Sequence, residues 1–173
     1  AYQPHFDGLD ILVCSQGVVV YGRGEFEREG WDKVTGVNLD SLMAAAMKFQ
    51  PMLQAAKGSV LTISSVAGFR APPGQPAYCA TKHAAVGLTR ALGAAWAPIG
   101  VRVNGIAPGV TETKMTKVTT ENEKRRELTI RAIPQGRIAA PEEMVGAALF
   151  LASPLSSYIC GQTLVIDGGL SLA

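Results

Sequence analysis

Two spacings of apolar residues along this chain predict the order of its strands and helices. Short continuous apolar runs bounded by Gly, Pro or Ser are typical of buried strands. Such runs cover residues 9–14 with a continuation over 17–21, then 59–63, 101–106 and 163–166. Apolar residues three and four positions apart predict helices over 31–52, 77–97, 123–132 and from Pro141 onward, the first of them bent near Leu39. Strands and helices therefore alternate along the chain.

This alternation predicts a fold class and the position of the site. Because each strand is a continuous apolar run, we expect an α/β fold with a parallel sheet and helices on both faces. Sites in such sheets lie at the carboxyl ends of the strands, where Ser65 and the Pro108-Gly109 turn would meet. The length fits one domain, 1–173, and we predict that residues 111–135 form a mobile lid over the substrate.

Tyr78 and Lys82 form the most informative pair in the sequence. A separation of four residues on a helix places both side chains on one face, so the ammonium can lie beside the phenol oxygen. A nearby positive charge favours the phenolate, and lowering a tyrosine pKa from ~10 to ~7 takes roughly 4 kcal/mol. The pair therefore predicts acid/base chemistry on a carbonyl or an alcohol, with a lowered Tyr78 pKa.

Composition and charge argue against several other classes of function. With 47% apolar residues, 17% charged residues and a net charge of +2, the chain has a globular composition and no basic stripe for nucleic acid. Its apolar runs are far shorter than the ~18 residues that cross a bilayer. Residues 1–8 lack the features of a secretory signal, so we expect a cytoplasmic protein with no membrane partner. Three separated cysteines with His5 and His83 predict no metal site.

Several motifs between Leu9 and Gly169 are more specific in combination than any one alone. They are Val-Asn-Leu with Asn38, Ile-Ser-Ser with Ser65, Tyr-Cys-Ala-Thr-Lys with Tyr78 and Lys82, Arg-Val-Asn-Gly-Ile-Ala-Pro-Gly, the downstream Thr113, and a terminal Gly-Gln-Thr-Leu-Val-Ile-Asp-Gly-Gly. With these motifs the chain resembles the short-chain dehydrogenase/reductase family. The resemblance implies a Rossmann-like, doubly wound parallel sheet. It also implies an oxidoreductase that uses NAD or NADP to interconvert a ketone and a secondary alcohol by hydride transfer.

The resemblance also implies a role for each candidate site residue. Tyr78 matches the general acid/base, and Ser65 matches the residue that orients the substrate oxygen. Lys82 matches the residue that lowers the tyrosine pKa and binds the nicotinamide ribose, and Asn38 the residue whose helix kink holds a water of the proton relay. The implied cofactor-binding residues are Gly17, Tyr78, Lys82, Pro108, Gly109, Val110 and Thr113. Taken singly, Ser65 would be a turn serine, Asn38 a kink asparagine and Lys82 a solvated charge.

Two features depart from the family's pattern. Family members begin with a strand, a Gly-rich turn and further strand-helix units that hold the adenosine and select NAD or NADP, and none of these is in the sequence. We therefore expect a fold truncated at its amino-terminal side, with about four strands, of which the first would expose an apolar edge and two uncovered faces. Such a fragment should not be stable alone. The second departure is Cys14-Ser15-Gln16-Gly17, where the family usually has Asn-Asn-Ala-Gly.

These departures leave other hypotheses open. The missing units can lie outside this sequence, be supplied by another chain, or have been lost. A cofactor-independent acid/base catalyst, such as a dehydratase or isomerase, and a non-catalytic interaction subunit are the alternatives to a reductase. The resemblance implies a homo-oligomer, a tetramer or dimer, that forms through residues 158–172. A small-molecule carbonyl or alcohol substrate would contact residues 69–75 and 115–131, whose composition selects no substrate class. Gly22-Arg23-Gly24 does not complete a nucleotide-binding turn.

Overall fold

The structure, a computed structural model, describes residues 8–172 and contains one parallel sheet. Its strands are β1 (Ile11–Cys14), β2 (Ser59–Ile63), β3 (Arg102–Pro108) and β4 (Thr163–Ile166). They lie in the order β1-β2-β3-β4, and each pairs with the next in parallel. The register aligns Ile11 with Ser59, Ser59 with Arg102, and Gly105 with Thr163. The predicted α/β class with four parallel strands is confirmed.

The helices connect successive strands. They are α1 (Arg28–Thr35), a π-helical segment (Gly36–Asp40), α2 (Ser41–Ala56), α3 (Pro76–Trp96), α4 (Lys117–Thr120), α5 (Glu123–Ala132) and α6 (Val145–Ala152), with short 3₁₀ turns at Gly24–Phe26, Val66–Gly68, Ala97–Ile99, Pro141–Met144 and Pro154–Ser156. The bend predicted near Leu39 is the π-helical segment, in which one wider turn interrupts the α-helical hydrogen bonds. Pro141 begins the 3₁₀ turn that leads into α6, as expected from its fixed φ.

Helices cover both faces of the sheet, which completes the predicted doubly wound arrangement. On one face, Val60 and Val103 pack against buried residues of α2 and α3 such as Leu53 and Leu92. On the other face, Leu61 and Ile106 pack with Leu151 of α6. Alternate residues of β2 and β3 therefore enter different cores, which explains why these two strands are continuous apolar runs.

Small residues lie at the tight contacts of α3 and of the sheet beside it. The Thr62 and Thr89 hydroxyl oxygens are 2.6 Å apart in a hydrogen bond between β2 and α3. A Cβ added to Gly105 would lie 2.5 Å from the Thr62 hydroxyl oxygen, and one added to Gly93 would lie 2.8 Å from Gly161 Cα. Both contacts are too short for a side chain, so Gly105 leaves room for the Thr62 hydroxyl and Gly93 allows α3 to approach Gly161.

The structure corrects two expectations about the first strand region. Residues 17–21 do not continue β1, because the Asn38 side chain bonds both the N–H and the C=O of Val18 and takes the place of a strand partner. The strand also has one uncovered face rather than two, since Leu12 and Cys14 pack below α2. Because β1 is the first strand in the sheet order and Ile11 and Val13 on its other face are 46% and 50% exposed, the predicted apolar edge is confirmed.

Two other expectations concern the ends of the chain and membranes. Residues 1–7, which include His5 and most of the stretch assessed for a secretory signal, lie outside the described residues, as does Ala173. Among the helices within 8–172, none is long and apolar enough to span a bilayer.

Candidate active site

Ser65 and Tyr78 meet at the carboxyl end of β2. Ser65 directly follows that strand and begins the Val66–Gly68 turn, where its hydroxyl oxygen accepts the Ala67 N–H at 3.1 Å. Tyr78 lies in the first turn of α3, and its phenol is hydrogen-bonded to the Ser65 side chain. A strand end and a helix start thus place a hydroxyl donor against a phenol, as the motifs predicted.

The pKa of Tyr78 is raised, which differs from the expectation of a lowered value. Burial is the largest cause, since it disfavours the phenolate; the hydrogen bond from Ser65 lowers the pKa, and the nearby carboxylate of Glu25 raises it. Lys82 lies with its Nζ 5.5 Å from the Tyr78 ring centroid. The prediction from the sequence took only this cation into account, whereas in the fold the burial of the phenol has the larger effect on the Tyr78 pKa.

Lys82 is a buried ammonium at the base of the same site. Burial lowers the pKa of Lys82 to about 8. Its Nζ donates to the Ile63 carbonyl at the end of β2, at 2.9 Å. An ammonium has three N–H donors, so two are left for other acceptors, such as hydroxyl groups of a bound ribose.

Asn38 lies behind the site and positions the loop after β1. In addition to its two bonds with Val18, its Nδ2 donates to Thr81 Oγ1 at 3.2 Å, which joins the π-helical segment to α3. Among the hydrogen bonds of the described residues, none joins the Asn38 side chain to Tyr78 or Lys82. Its place in a proton relay stays a prediction.

The implied cofactor residues line one open cleft. A cavity of about 370 Å³ is bordered by most of them, namely Gly17, Tyr78, Lys82, Pro108, Gly109 and Thr113, together with Ser65. Val110 instead borders the neighbouring cavity. A Cβ added to Gly17 would lie 3.7 Å from Lys82 Nζ and 3.8 Å from Asn38 Oδ1, inside the cleft. Glycine at this position therefore keeps the ammonium accessible.

A second cavity of about 400 Å³ opens on the other side of Tyr78 and Ser65. Its lining includes Tyr21, Arg70 and Met115, and Arg70 is the one charged side chain among the described residues that border it. Arg70 Nη1 donates to the Leu170 carbonyl. Tyr21 donates its hydroxyl to the Met115 carbonyl at 2.9 Å, a contact between the loop after β1 and the segment predicted to be a lid. A substrate in this cavity would contact Ser65 and Tyr78 directly.

Sequence reasoning missed Glu25 and Tyr21, whereas Arg70 lies in the stretch 69–75 that was expected to contact the substrate. Glu25 is 1% exposed, and its two carboxylate oxygens accept the backbone N–H groups of Val20 and Tyr78. The sequence does contain one signal for Glu25, because the Gly22-Arg23-Gly24 turn directly precedes this acid. Tyr21 carries no sequence signal, since its hydrogen-bond partner, Met115, comes from a distant segment.

The cysteines do not form a site. Cys14 is buried, and burial raises its pKa to about 11, which keeps it a thiol. Cys79 and Cys160 are also free thiols. In the part of the chain that the structure describes, His, Cys, Asp and Glu form no group of three or more that fits a metal ion.

Known proteins match this chain in sequence and in structure. The family model described as enoyl-(acyl carrier protein) reductase matches residues 1–171. The 2-dehydro-3-deoxy-D-gluconate 5-dehydrogenase of Bacillus subtilis (strain 168) is 39% identical over 163 residues, which are 93% of this chain and 64% of that protein. The 3-oxoacyl-[acyl-carrier-protein] reductase FabG of Chlamydia muridarum is 42% identical over 165 residues, with 94% and 66% covered.

A crystal structure of gluconate 5-dehydrogenase from Burkholderia cenocepacia J2315, in complex with NADP and tartrate, superimposes with a TM-score of 0.92 at 35% identity, covering 96% of this chain and 66% of that one. The chain thus spans about two thirds of the length of these relatives. Together with the Ser65, Tyr78 and Lys82 constellation, these matches confirm the resemblance drawn from the motifs. The chain belongs to the short-chain dehydrogenase/reductase family.

Proposed function

We propose that this protein interconverts a ketone and a secondary alcohol with NAD or NADP. The observation that carries the proposal is the convergence of Ser65, Tyr78 and Lys82 between two cavities, one bordered by the implied cofactor residues and one open to a substrate. The relatives named above support it, since they are dehydrogenases and reductases and one of them holds NADP.

The residues of the cleft fit a nicotinamide cofactor. Gly17 leaves space that a side chain would fill, and the buried Lys82 ammonium has donors free for ribose hydroxyls. Pro108, Gly109 and Thr113 also line the cleft, and the neighbouring Val110 is proposed to contact the cofactor from the adjoining cavity. When bound, the nicotinamide would supply or accept the hydride.

The chain's own residues would supply the proton and stabilise the substrate oxygen. Because the pKa of Tyr78 is raised above its usual value of 10.0, the phenol is protonated at neutral pH and can donate to the oxygen of a ketone that is being reduced. Ser65 would donate a second hydrogen bond to that oxygen. The Lys82 ammonium, near the Tyr78 ring, would stabilise the resulting phenolate. Alcohol oxidation needs the phenolate as base, so its rate should rise with pH toward the Tyr78 pKa.

The charge of the substrate cavity favours an acidic substrate. Arg70 borders the cavity that Tyr78 and Ser65 open into, and a guanidinium binds a carboxylate through two N–H groups. Two of the relatives are named for gluconate or a dehydro-deoxy-gluconate, and one structure holds tartrate. We propose a hydroxy or keto acid with its carboxylate at Arg70 and its reacting oxygen at Tyr78.

Binding and turnover of the natural full-length protein test the proposal. Fluorescence titration with NADH and NADPH, followed by assays on a panel of keto acids and neutral ketones, should show binding of one cofactor and turnover that Tyr78→Phe abolishes. A folded sample that binds neither cofactor would overturn the proposal. Proton-transfer activity without nicotinamide, also lost in Tyr78→Phe, would favour a dehydratase or isomerase instead.

Other expectations enter here as proposals. We propose a homo-oligomer, dimer or tetramer, that associates through the carboxyl-terminal region, where Leu155, Tyr158 and Leu172 have strongly exposed side chains. Sedimentation equilibrium should show the assembly, and a monomer would contradict it.

We also propose that 111–135 is a substrate lid within a single domain, and that the protein works in the cytoplasm, which its free cysteines support.

A further inference from the structure

We propose that Glu25 is a positioning residue for Tyr78: it fixes the start of α3 and places a negative charge beside the acid/base phenol. The inference rests on the proposed function for its catalytic consequence. Its structural basis is independent of that function, because it follows from the hydrogen bonds, backbone and burial around Glu25.

The first step is the hydrogen bond to Tyr78. The N–H groups of a helix's first turn have no acceptor within the helix, and Tyr78 lies in the first turn of α3, which begins at Pro76. The side chain of Gln75, at the position that usually supplies a cap, does not bond the helix. Glu25 Oε2 accepts the Tyr78 N–H at 2.9 Å and so caps α3 from 53 residues away.

The second oxygen of Glu25 ties this cap to the loop after β1. Glu25 Oε1 accepts the N–H of Val20 at 3.1 Å, and Tyr21, the next residue, borders the substrate cavity. One buried carboxylate therefore joins the loop that forms one wall of the cavity to the helix that carries Tyr78. A change of position in one would be transmitted to the other.

The turn that precedes Glu25 is shaped to bring its side chain inside. Gly22 and Arg23 both have left-handed backbone, with φ of 67° and 64°, and such a φ is unfavourable for a residue with a side chain such as Arg23. A Cβ on Gly24 would lie 2.7 Å from Val20 Cγ1, and one on Gly30 would overlap the Gly24 carbonyl. This tight turn leaves Glu25 1% exposed, although carboxylates are rarely buried.

Charge gives Glu25 an effect that a purely structural cap would lack. The groups that face the Tyr78 phenol are Glu25 and Tyr21 from the segment before α1, Ser65 from the end of β2, and Lys82 from α3. Of these, the Glu25 carboxylate raises the pKa of Tyr78 and the Ser65 hydrogen bond lowers it. Glu25 thus favours the protonated phenol, the form that donates a proton to a ketone.

The decisive experiment compares Glu25→Gln with the wild type in the natural full-length protein. Gln keeps the size but removes the charge and one acceptor, so we expect kcat for ketone reduction to fall by roughly tenfold or more while the KM for the cofactor stays within about twofold. The midpoint of the pH profile that reports Tyr78 should move to lower pH. Glu29→Gln, the same change at an exposed position of α1, should alter neither quantity.

A direct titration separates this inference from the proposed function. Ultraviolet difference absorbance follows the phenolate of Tyr78, identified as the signal missing in Tyr78→Phe, and needs no turnover. A lower Tyr78 pKa in Glu25→Gln supports the inference even if no nicotinamide activity is found. An unchanged Tyr78 titration together with an unchanged pH profile would overturn it, even if the variant is less stable.

Two further measurements keep the inference testable if Glu25→Gln does not fold. Glu25→Asp retains the charge and should keep the wild-type Tyr78 titration while lowering kcat. In the wild type, hydrogen exchange should show a protected Tyr78 amide, because its N–H is bonded to Glu25. Rapid exchange of this amide, in a helix whose later amides are protected, would overturn the inference.

Discussion

Replacing Lys82 with Met should stabilise the fold while it removes the ammonium from the site. Lys82 is 5% exposed, and burial lowers its pKa from the usual 10.5 to about 8. A difference of this size corresponds to about 3 kcal/mol of unfavourable burial for the charged form at neutral pH. Met removes this cost but also the bond to the Ile63 carbonyl, worth about 1 kcal/mol. A net gain of about 2 kcal/mol is expected at pH 7.

The pH dependence identifies the cause of this gain. Between pH 8 and 10.5 the unfolded state holds a proton on Lys82 that the folded state has lost, so wild-type stability rises with pH over this interval. The advantage of Lys82→Met should therefore shrink to about zero near pH 10. Urea unfolding of both proteins at pH 7 and pH 10 measures it, with the exposed Lys48→Met as the control for a lost surface charge. A Lys82→Met protein that is less stable at pH 7, or a gain that does not change with pH, would refute the reasoning.

Three shorter predictions concern the cavities. Tyr78→Phe should lower kcat by about 10²–10⁴-fold, measured by steady-state kinetics beside Tyr158→Phe, whose phenol borders neither cavity; retained turnover would contradict its role. Gly17→Ala should leave the melting temperature unchanged, because its Cβ makes only ordinary contacts, yet weaken nicotinamide binding about tenfold. Gly87→Ala, with open space around its Cβ, is the control, and equal affinities would contradict the cofactor site. Arg70→Met should raise the KM for a keto acid by roughly 10–100-fold but not that for a neutral ketone, and equal effects on both would contradict carboxylate binding.

The sequence predicted the parts of this fold that depend on local pattern. Strand β2 over residues 59–63, the helix over residues 123–132 and the bend near Leu39 follow from apolar spacing and turn residues, and the structure has all three. The prediction that residues 17–21 continue β1 was wrong. An apolar run can also form a loop when a distant side chain, here Asn38, makes hydrogen bonds to its backbone N–H and C=O groups. A local pattern cannot show that a side chain 20 residues away takes the place of a neighbouring strand.

The residues of the candidate site could be predicted from the sequence, but the direction of the Tyr78 pKa shift could not. Ser65, Tyr78 and Lys82 follow strand ends and helix spacing, so their meeting could be expected. The direction of the Tyr78 pKa could not, because it depends on how deeply the phenol is buried and on Glu25, which lies 53 residues away in sequence. Burial and charges from other segments are properties of the folded chain.

Because Tyr78 is part of α3, the way the whole helix packs on the rest of the fold determines where the phenol lies. Tyr78 lies near one end of α3 and Gly93 near the other, where the helix closely approaches Gly161. A side chain at Gly93 would push the last turns of α3 away from Gly161, and the rigid helix would transmit this shift to Tyr78. A substitution at Gly93, which borders neither cavity, would therefore move the Tyr78 phenol and change kcat without altering any group that contacts the substrate.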